Sequence, residues 1–216
     1  LGVPYFDKNN QLIEYVEKPE NPPHDFAITG LYFFDKNVFK CFRGEGRILP
    51  SARGELEISS PYQWLIDHDF KVDVVEYKGE WLDPGKFDDW LDANHRLLDK
   101  TLRPKSESTV DVKSKIENKV SIGVDCNIKN THIRGPVIIG DNVTLEDTFI
   151  GPYSSISDEC TILNSKIENS VVMKKARIVN VKKTLKTSIV GPEVELMGSS
   201  ESELKLFVGE KSKIEL

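Results

Sequence analysis

The chain is poor in cysteine, has no surplus of positive charge, and contains neither a glycine-rich phosphate loop nor a long apolar run. Each shortage closes off a class of function. Three cysteines (Cys41, Cys126 and Cys160), with no metal-ligand spacing among them, build neither a disulfide framework nor a zinc site and suit a reducing cytoplasm. The net charge of −6 leaves no basic stripe, so no nucleic-acid partner is expected. No stretch approaches the roughly eighteen apolar residues of a membrane span, so no membrane partner is expected either. No charged-then-apolar start marks a signal peptide, and the chain opens at Leu1 without Met, directly in strand-like sequence, as if inside a fold. Neither GxGxxG nor GxxxxGK[ST] occurs, so neither phosphate-loop fingerprint is present. What remains is a soluble, globular balance: 38% hydrophobic and 30% charged residues in 216, enough for one large or two small domains.

The second half is periodic. Three apolar columns recur every 17 positions: Ile116, Ile133, Ile150 and Ile167; then Ile122, Ile139, Ile156, Met173 and Val190; then Ile128, Leu145, Ile162, Val179 and Leu196. Steps of six, six and five make one coil of three short strands, each with one inward aliphatic side chain. Small residues follow the first column (Val120, Val137, Ser154, Val171) and the second (Cys126, Val143, Cys160). Asn130, Asp147 and Asn164 sit just past the third column, where a tight corner favours residues that tolerate the left-handed region, and Thr131, Thr148 and Ser165 follow them. Neither an amphipathic helix nor a set of hairpins produces this register. Residues 110–216 are therefore predicted to form a parallel β-helix, with the pattern invaded by Lys182, Lys183 and Lys186 after residue 180. Cys126 and Cys160 lie two coils apart in one column, roughly 9–10 Å at about 4.8 Å per coil, beyond disulfide reach. His132 heads an outward column continued by Phe149, Lys166 and Lys183, a poor setting for a general base.

The first half reads as mixed α/β. Strands are predicted over 12–16, 26–34 and 71–77, and helices over 36–42, 59–69 and 86–102, with a polar linker at 103–109. These are too few strands for a complete α/β core.

Four segments carry a resemblance: Glu17-Lys18-Pro19; Ala27-Ile28-Thr29-Gly30-Leu31-Tyr32; Pro50-Ser51-Ala52-Arg53-Gly54-Glu55-Leu56-Glu57-Ile58 with Gln63-Trp64-Leu65-Ile66-Asp67 after it; and Gly79-Glu80-Trp81-Leu82-Asp83-Pro84-Gly85-Lys86. In this order they resemble the sugar-1-phosphate nucleotidyltransferases, and with the β-helix behind them the long-form glucose-1-phosphate thymidylyltransferases in particular. The resemblance implies a partial Rossmann-like nucleotidyltransferase domain over 1–102, the linker, and a left-handed β-helix over 110–216. It also implies a cytoplasmic homo-oligomer, and a reaction of glucose 1-phosphate with dTTP that gives dTDP-glucose and pyrophosphate with Mg²⁺ as cofactor. Nucleoside triphosphate and sugar 1-phosphate are the implied partners.

By the same resemblance Glu17 binds sugar hydroxyls and Lys18 the sugar phosphate, while Gly2 and Gly30 let the backbone approach the sugar. Arg53 lies near the phosphate, Trp81 lines the wall, and Asp83 ligates the metal. Each residue has a plainer reading: a surface ion pair for Glu17 and Lys18, a strand bulge for Gly30, an ion pair with Glu55 or Glu57 for Arg53, a core tryptophan at 81, and a helix N-cap for Asp83 ahead of Pro84. Pro84 departs from the family's usual Thr. The family's Thr-Arg nucleotide loop and second metal-binding aspartate are not in this sequence, so the chain is expected to be part of a longer enzyme and inactive alone. A UTP- or GTP-using relative, and a non-catalytic regulatory or assembly subunit, stay open.

Overall fold

The computed structural model describes residues 2–9, 11–51 and 54–199, and the strands Glu203–Leu204, Phe207–Val208 and Lys213–Glu215. The chain divides into two compact units, Leu1–Trp81 and Leu82–Leu216.

The first unit is built on an antiparallel pair, β1 (Gly2–Phe6) and β2 (Leu12–Glu17), in which Gly2 faces Glu17 and Val3 faces Val16. The turn is held by Asp7, whose carboxylate accepts from the backbone N–H groups of Asn9 (2.9 Å) and Gln11 (2.8 Å), the usual aspartate turn chemistry. A short 3₁₀ helix, Lys36–Phe42, is capped by the Asp35 side chain and buries Cys41.

Helix α1 (Ser59–Asp67) packs on β2. It stops because Asp69 turns left-handed (φ 58): its N–H bonds Ile66 O at 3.1 Å and that of Phe70 bonds Leu65 O at 2.9 Å, a Schellman end with Asp where Gly is usual. Residues 26–34 and 71–77, expected as strands, run as irregular chain. Their β-branched and aromatic residues have the propensity but find no ladder partner among the described residues.

The second unit opens with α2 (Phe87–Thr101), one residue shorter at each end than the expected 86–102. Its N-cap is Lys86, whose N–H donates to Asp89 at 3.0 Å, so Asp83 is not the cap. No helix among the described residues is long and apolar enough to cross a membrane.

From Lys105 the chain winds into a parallel β-helix with faces of six, seven and six strands among the described residues. The first face runs Lys115–Glu117, His132–Arg134, Phe149–Ile150, Lys166–Glu168, Thr184–Lys186, Glu203–Leu204. The second begins at Lys105–Ser106, inside the segment expected as linker, and pairs Val120–Ile122 with Val137–Ile139 and Ser154–Ile156 in turn. Ile122, Ile128, Ile133, Ile139, Leu145, Ile150, Ile156, Ile162 and Ile167 fill the axis with almost no exposed surface, which confirms the three columns through the first coils. Ile116 is more open because its strand is the first rung of its face. Asn130, Asp147 and Asn164 do turn the corner left-handed, with φ of 42, 52 and 44. The hydroxyls of Thr131, Thr148 and Ser165 then donate to the carbonyls of Lys129, Glu146 and Leu163, each at 2.8 Å, which satisfies polar groups that the corner buries.

The register slips after Ile167. The corner at Asn169 (φ 49) is one residue shorter than the corner before it, so Val172, not Met173, stacks on Ile156, and Ile178, not Val179, stacks on Ile162. The next corner is longer: the strand Arg177–Val181 buries Val181 against the Ser165 hydroxyl (3.1 Å), and Leu185 rejoins the first column above Ile167. Thr184 therefore takes the outward place beside Lys166 that the sequence period assigned to Lys183.

Candidate functional site

Glu17 closes β2, and the backbone then turns sharply. Lys18 is left-handed (φ 48), directly ahead of Pro19. A long side chain at positive φ is uncommon, and a residue held there points where an extended strand would not send it. On the partner strand Gly2 O accepts from Ile28 N–H at 2.9 Å, which fastens the segment carrying Gly30 to the edge of the sheet beside Glu17. Leu31 N–H closes a tight turn onto Thr29 O at 2.7 Å, and Gly30 sits at its apex with nothing within 4 Å of where a Cβ would stand. Gly2, Glu17, Lys18 and Gly30 thus come together at one end of the β1–β2 ribbon.

The two glycines differ in reason. A Cβ on Gly2 would run into the ring of Tyr15, so Gly2 is required by packing, while Gly30 faces open space. Tyr15 is the residue that sequence reasoning missed. Its hydroxyl donates to Glu17 Oε2 at 3.4 Å, and its ring stacks over Tyr62 of α1 at 6.3 Å. Tyr62 in turn meets Tyr32 (5.5 Å) and Phe34 (4.8 Å). Burial, and then Tyr32 and Glu17, raise the Tyr15 phenol well above its usual value; burial and then Tyr32 push Tyr62 up to about 12. Both stay protonated, Tyr15 as a donor to Glu17. The signal was available: Tyr15 is two residues before Glu17 and so on the same strand face.

Trp81 lies in irregular chain, 39% exposed. Trp64, by contrast, is anchored, its indole donating to Gly46 O at 2.9 Å and its ring stacked on His68 at 3.8 Å. Arg53 lies outside the described residues. Asp83 belongs to the second unit, on a loop pinned to α2. Gly85 N–H bonds Asp83 O at 2.7 Å, and the Trp90 indole donates to Pro84 O at 2.7 Å. Its carboxylate is exposed and meets no donor among the described residues. No group of three metal-ligating side chains occurs among the described residues. One unpartnered carboxylate on a fixed loop still suits the way Mg²⁺ is held, by one or two carboxylates, waters and substrate phosphates.

In the β-helix, His132 Nε2 lies 2.8 Å from Glu117 Oε2, and its ring stands edge-on to Phe149 at 5.3 Å. Lys115 first, and then His132, hold the Glu117 carboxyl below the usual carboxylate range. Cys160 is buried, its thiol pushed up to about 11 by that burial, and all three cysteines are free.

Residues 1–100 match the family model described as nucleotidyl transferase. Over its full length the chain is 33% identical to glucose-1-phosphate thymidylyltransferase of Streptomyces antibioticus, covering 60% of that protein. It is 32% identical to the low-salt glycan biosynthesis nucleotidyltransferase Agl11 of Haloferax volcanii, again over the whole chain and 60% of the relative. Over 89% of its length it is 33% identical to a bifunctional sugar-1-phosphate nucleotidylyltransferase/acetyltransferase of Sulfurisphaera tokodaii, covering 46% of it. The chain spans 60% of the length of the first two of these curated relatives.

Proposed function

We propose that the chain, whose residues 1–100 match the nucleotidyl transferase family model, is the sugar-binding side and β-helix of a sugar-1-phosphate nucleotidyltransferase that joins glucose 1-phosphate to dTTP. The observation that carries this reading is the end of the β1–β2 ribbon: an acceptor, Glu17, beside a cation, Lys18, with Gly30 leaving open space at the edge of the same sheet.

In the reaction a phosphate oxygen of the sugar phosphate attacks the α-phosphorus of the triphosphate, and the bond to pyrophosphate breaks. Such a transfer asks the protein for positioning and charge neutralisation rather than covalent chemistry. Glu17 accepts hydrogen bonds from sugar hydroxyls, held by the Tyr15 hydroxyl. Lys18 meets the sugar phosphate as a point charge, and Arg53 offers a planar fork to the same group. Gly30 admits the sugar close to backbone, and Trp81 walls the pocket. Asp83 would hold Mg²⁺, which would supply charge neutralisation. The flat faces of the β-helix are the surfaces through which copies associate.

The test is a substrate screen of the whole protein, four triphosphates against several sugar phosphates, with Lys18→Ala alongside. Glucose 1-phosphate with dTTP should be turned over best, and Lys18→Ala should raise the KM for sugar phosphate about tenfold or more, as loss of a charged contact does, with the triphosphate KM unmoved. Preference for UTP or GTP would change the substrate and leave the fold reading intact. Absence of turnover with every pair would favour a regulatory or assembly subunit.

A further inference from the structure

A groove of about 420 Å³ runs along the corner between the third and first faces of the β-helix, within the size range of small-molecule sites. Its floor is the corner ladder. Asn130 Nδ2 donates to Asp147 Oδ1 at 2.5 Å, and Asn164 Nδ2 donates to Asn180 Oδ1 at 3.0 Å. The ladder is therefore broken between Asp147 and Asn164, and Asp147 Oδ2 and Asn164 Oδ1 are left as acceptors without donors among the described residues. Phe149 supplies the apolar wall, steadied by the His132 edge on one side and the Arg134 guanidinium 5.8 Å from its centroid. Lys166, next to Phe149 in register, and Lys182 line the other end, exposed and without an ion-pair partner among the described residues. The coil departs from its period at this place: the lengthened corner brings Lys182 to the groove, and buried Val181 anchors it.

We propose that this corner groove is a binding site for a phosphorylated sugar, separate from the site around Glu17 and Lys18. The two open acceptors take hydroxyl protons, the ring of Phe149 takes the apolar C–H face of a pyranose, and Lys166 and Lys182 take the phosphate. The Asp147 carboxylate repels a bare phosphate ion, so the hydroxyl-bearing part of the ligand is needed for binding. The site rests on the corner geometry alone and stands or falls independently of the reaction proposed above.

The experiment titrates the 216-residue chain, at low salt, with glucose 1-phosphate, glucose and inorganic phosphate, following heat and the ring signals of Phe149 and His132. A Lys18→Ala background removes the contribution of the other site. Glucose 1-phosphate should shift the Phe149 and His132 signals in that background and bind at least about tenfold more tightly than either glucose or phosphate, since each lacks one set of charged or hydroxyl contacts. Lys166→Ala combined with Lys182→Ala should lose about tenfold or more, while Lys174→Ala, an exposed lysine on the corner between the second and third faces, should change nothing. Asp147→Asn gives a second reading should the lysine pair disturb folding: it keeps the side-chain shape, and the preference for glucose 1-phosphate over inorganic phosphate should shrink. Unmoved ring signals, equal affinity for inorganic phosphate, or unchanged binding by both groove variants would each overturn the site.

Discussion

The register slip after Ile167 makes a sharp prediction, because two neighbouring apolar residues exchange roles across it. By the sequence period Met173 is the core residue of its coil; in the structure it is Val172, completely buried between Ile156 and Val190, while Met173 is half-exposed. Replacing Val172 by Ala removes two methyl-sized groups, a transfer loss of ~1.6 kcal/mol at ~0.8 kcal/mol each. A residual cavity of about 50 Å³ at ~24 cal/mol per Å³ adds ~1.2 kcal/mol. Structure remaining in the unfolded chain trims the total to ~2–3 kcal/mol. Met173→Ala removes more atoms, but from a side chain still in contact with water and with no closed cavity left behind, so it should cost below ~1 kcal/mol. The assay is urea unfolding followed by far-ultraviolet circular dichroism. With a slope of ~1–3 kcal/mol per molar urea, Val172→Ala should lower the midpoint by about 1 M or more and Met173→Ala by a small fraction of that. The smaller residue must do the greater damage. If Met173→Ala is the more destabilising change, the slip is wrong and the unbroken 17-residue period is right.

Three further outcomes follow from the geometry. Cys160, raised from 9.0 to about 11 by burial, favours folding fully below pH 9 and loses that contribution as pH climbs from 9 through 11, so Cys160→Ser or Cys160→Ala should flatten alkaline destabilisation over that window in a pH series of melts. Gly2→Ala should destabilise the first unit by ~1–3 kcal/mol, because the new Cβ overlaps the buried Tyr15 ring; an unchanged melting curve would mean that the ring is free to move. Asn94 of α2 donates to Tyr153 O at 2.9 Å and accepts from the Ser155 hydroxyl at 2.5 Å, beside a His95 ring stacked on Tyr153 at 4.2 Å. Asn94→Ala should speed hydrogen exchange across α2, with a loss of ~1–2 kcal/mol of local protection.

What could be read from sequence depended on whether the signal was local and repeated. The three columns were legible because identical coils present the same aliphatic at the same place, and Asn130, Asp147 and Asn164 announced their corner through their tolerance of positive φ. The slip was not legible, since Val172 and Met173, and Ile178 and Val179, are adjacent apolar pairs, and only the one-residue shortening at Asn169 chooses between them. Residues 26–34 look like a strand by propensity, but a strand is defined by a partner, which a sequence window does not contain. Asp83 before Pro84 looked like a cap, yet Lys86 takes the cap position, its N–H donating to the Asp89 carboxylate. Gly2 and Gly30 read alike on paper; only the Tyr15 ring separates a glycine required by packing from one facing open space.

Helix α2 meets the β-helix on successive coils: Lys119 donates to Asp99 O at 2.6 Å, Asn94 meets Tyr153 and Ser155, and His95 meets Asn169. Inserting or deleting a whole coil between Lys119 and Asn169 would shift one end of that set by about 4.8 Å, the spacing of neighbouring strands, against a helix that cannot stretch to follow. The helix thus acts as a gauge that fixes how many coils lie between those contacts.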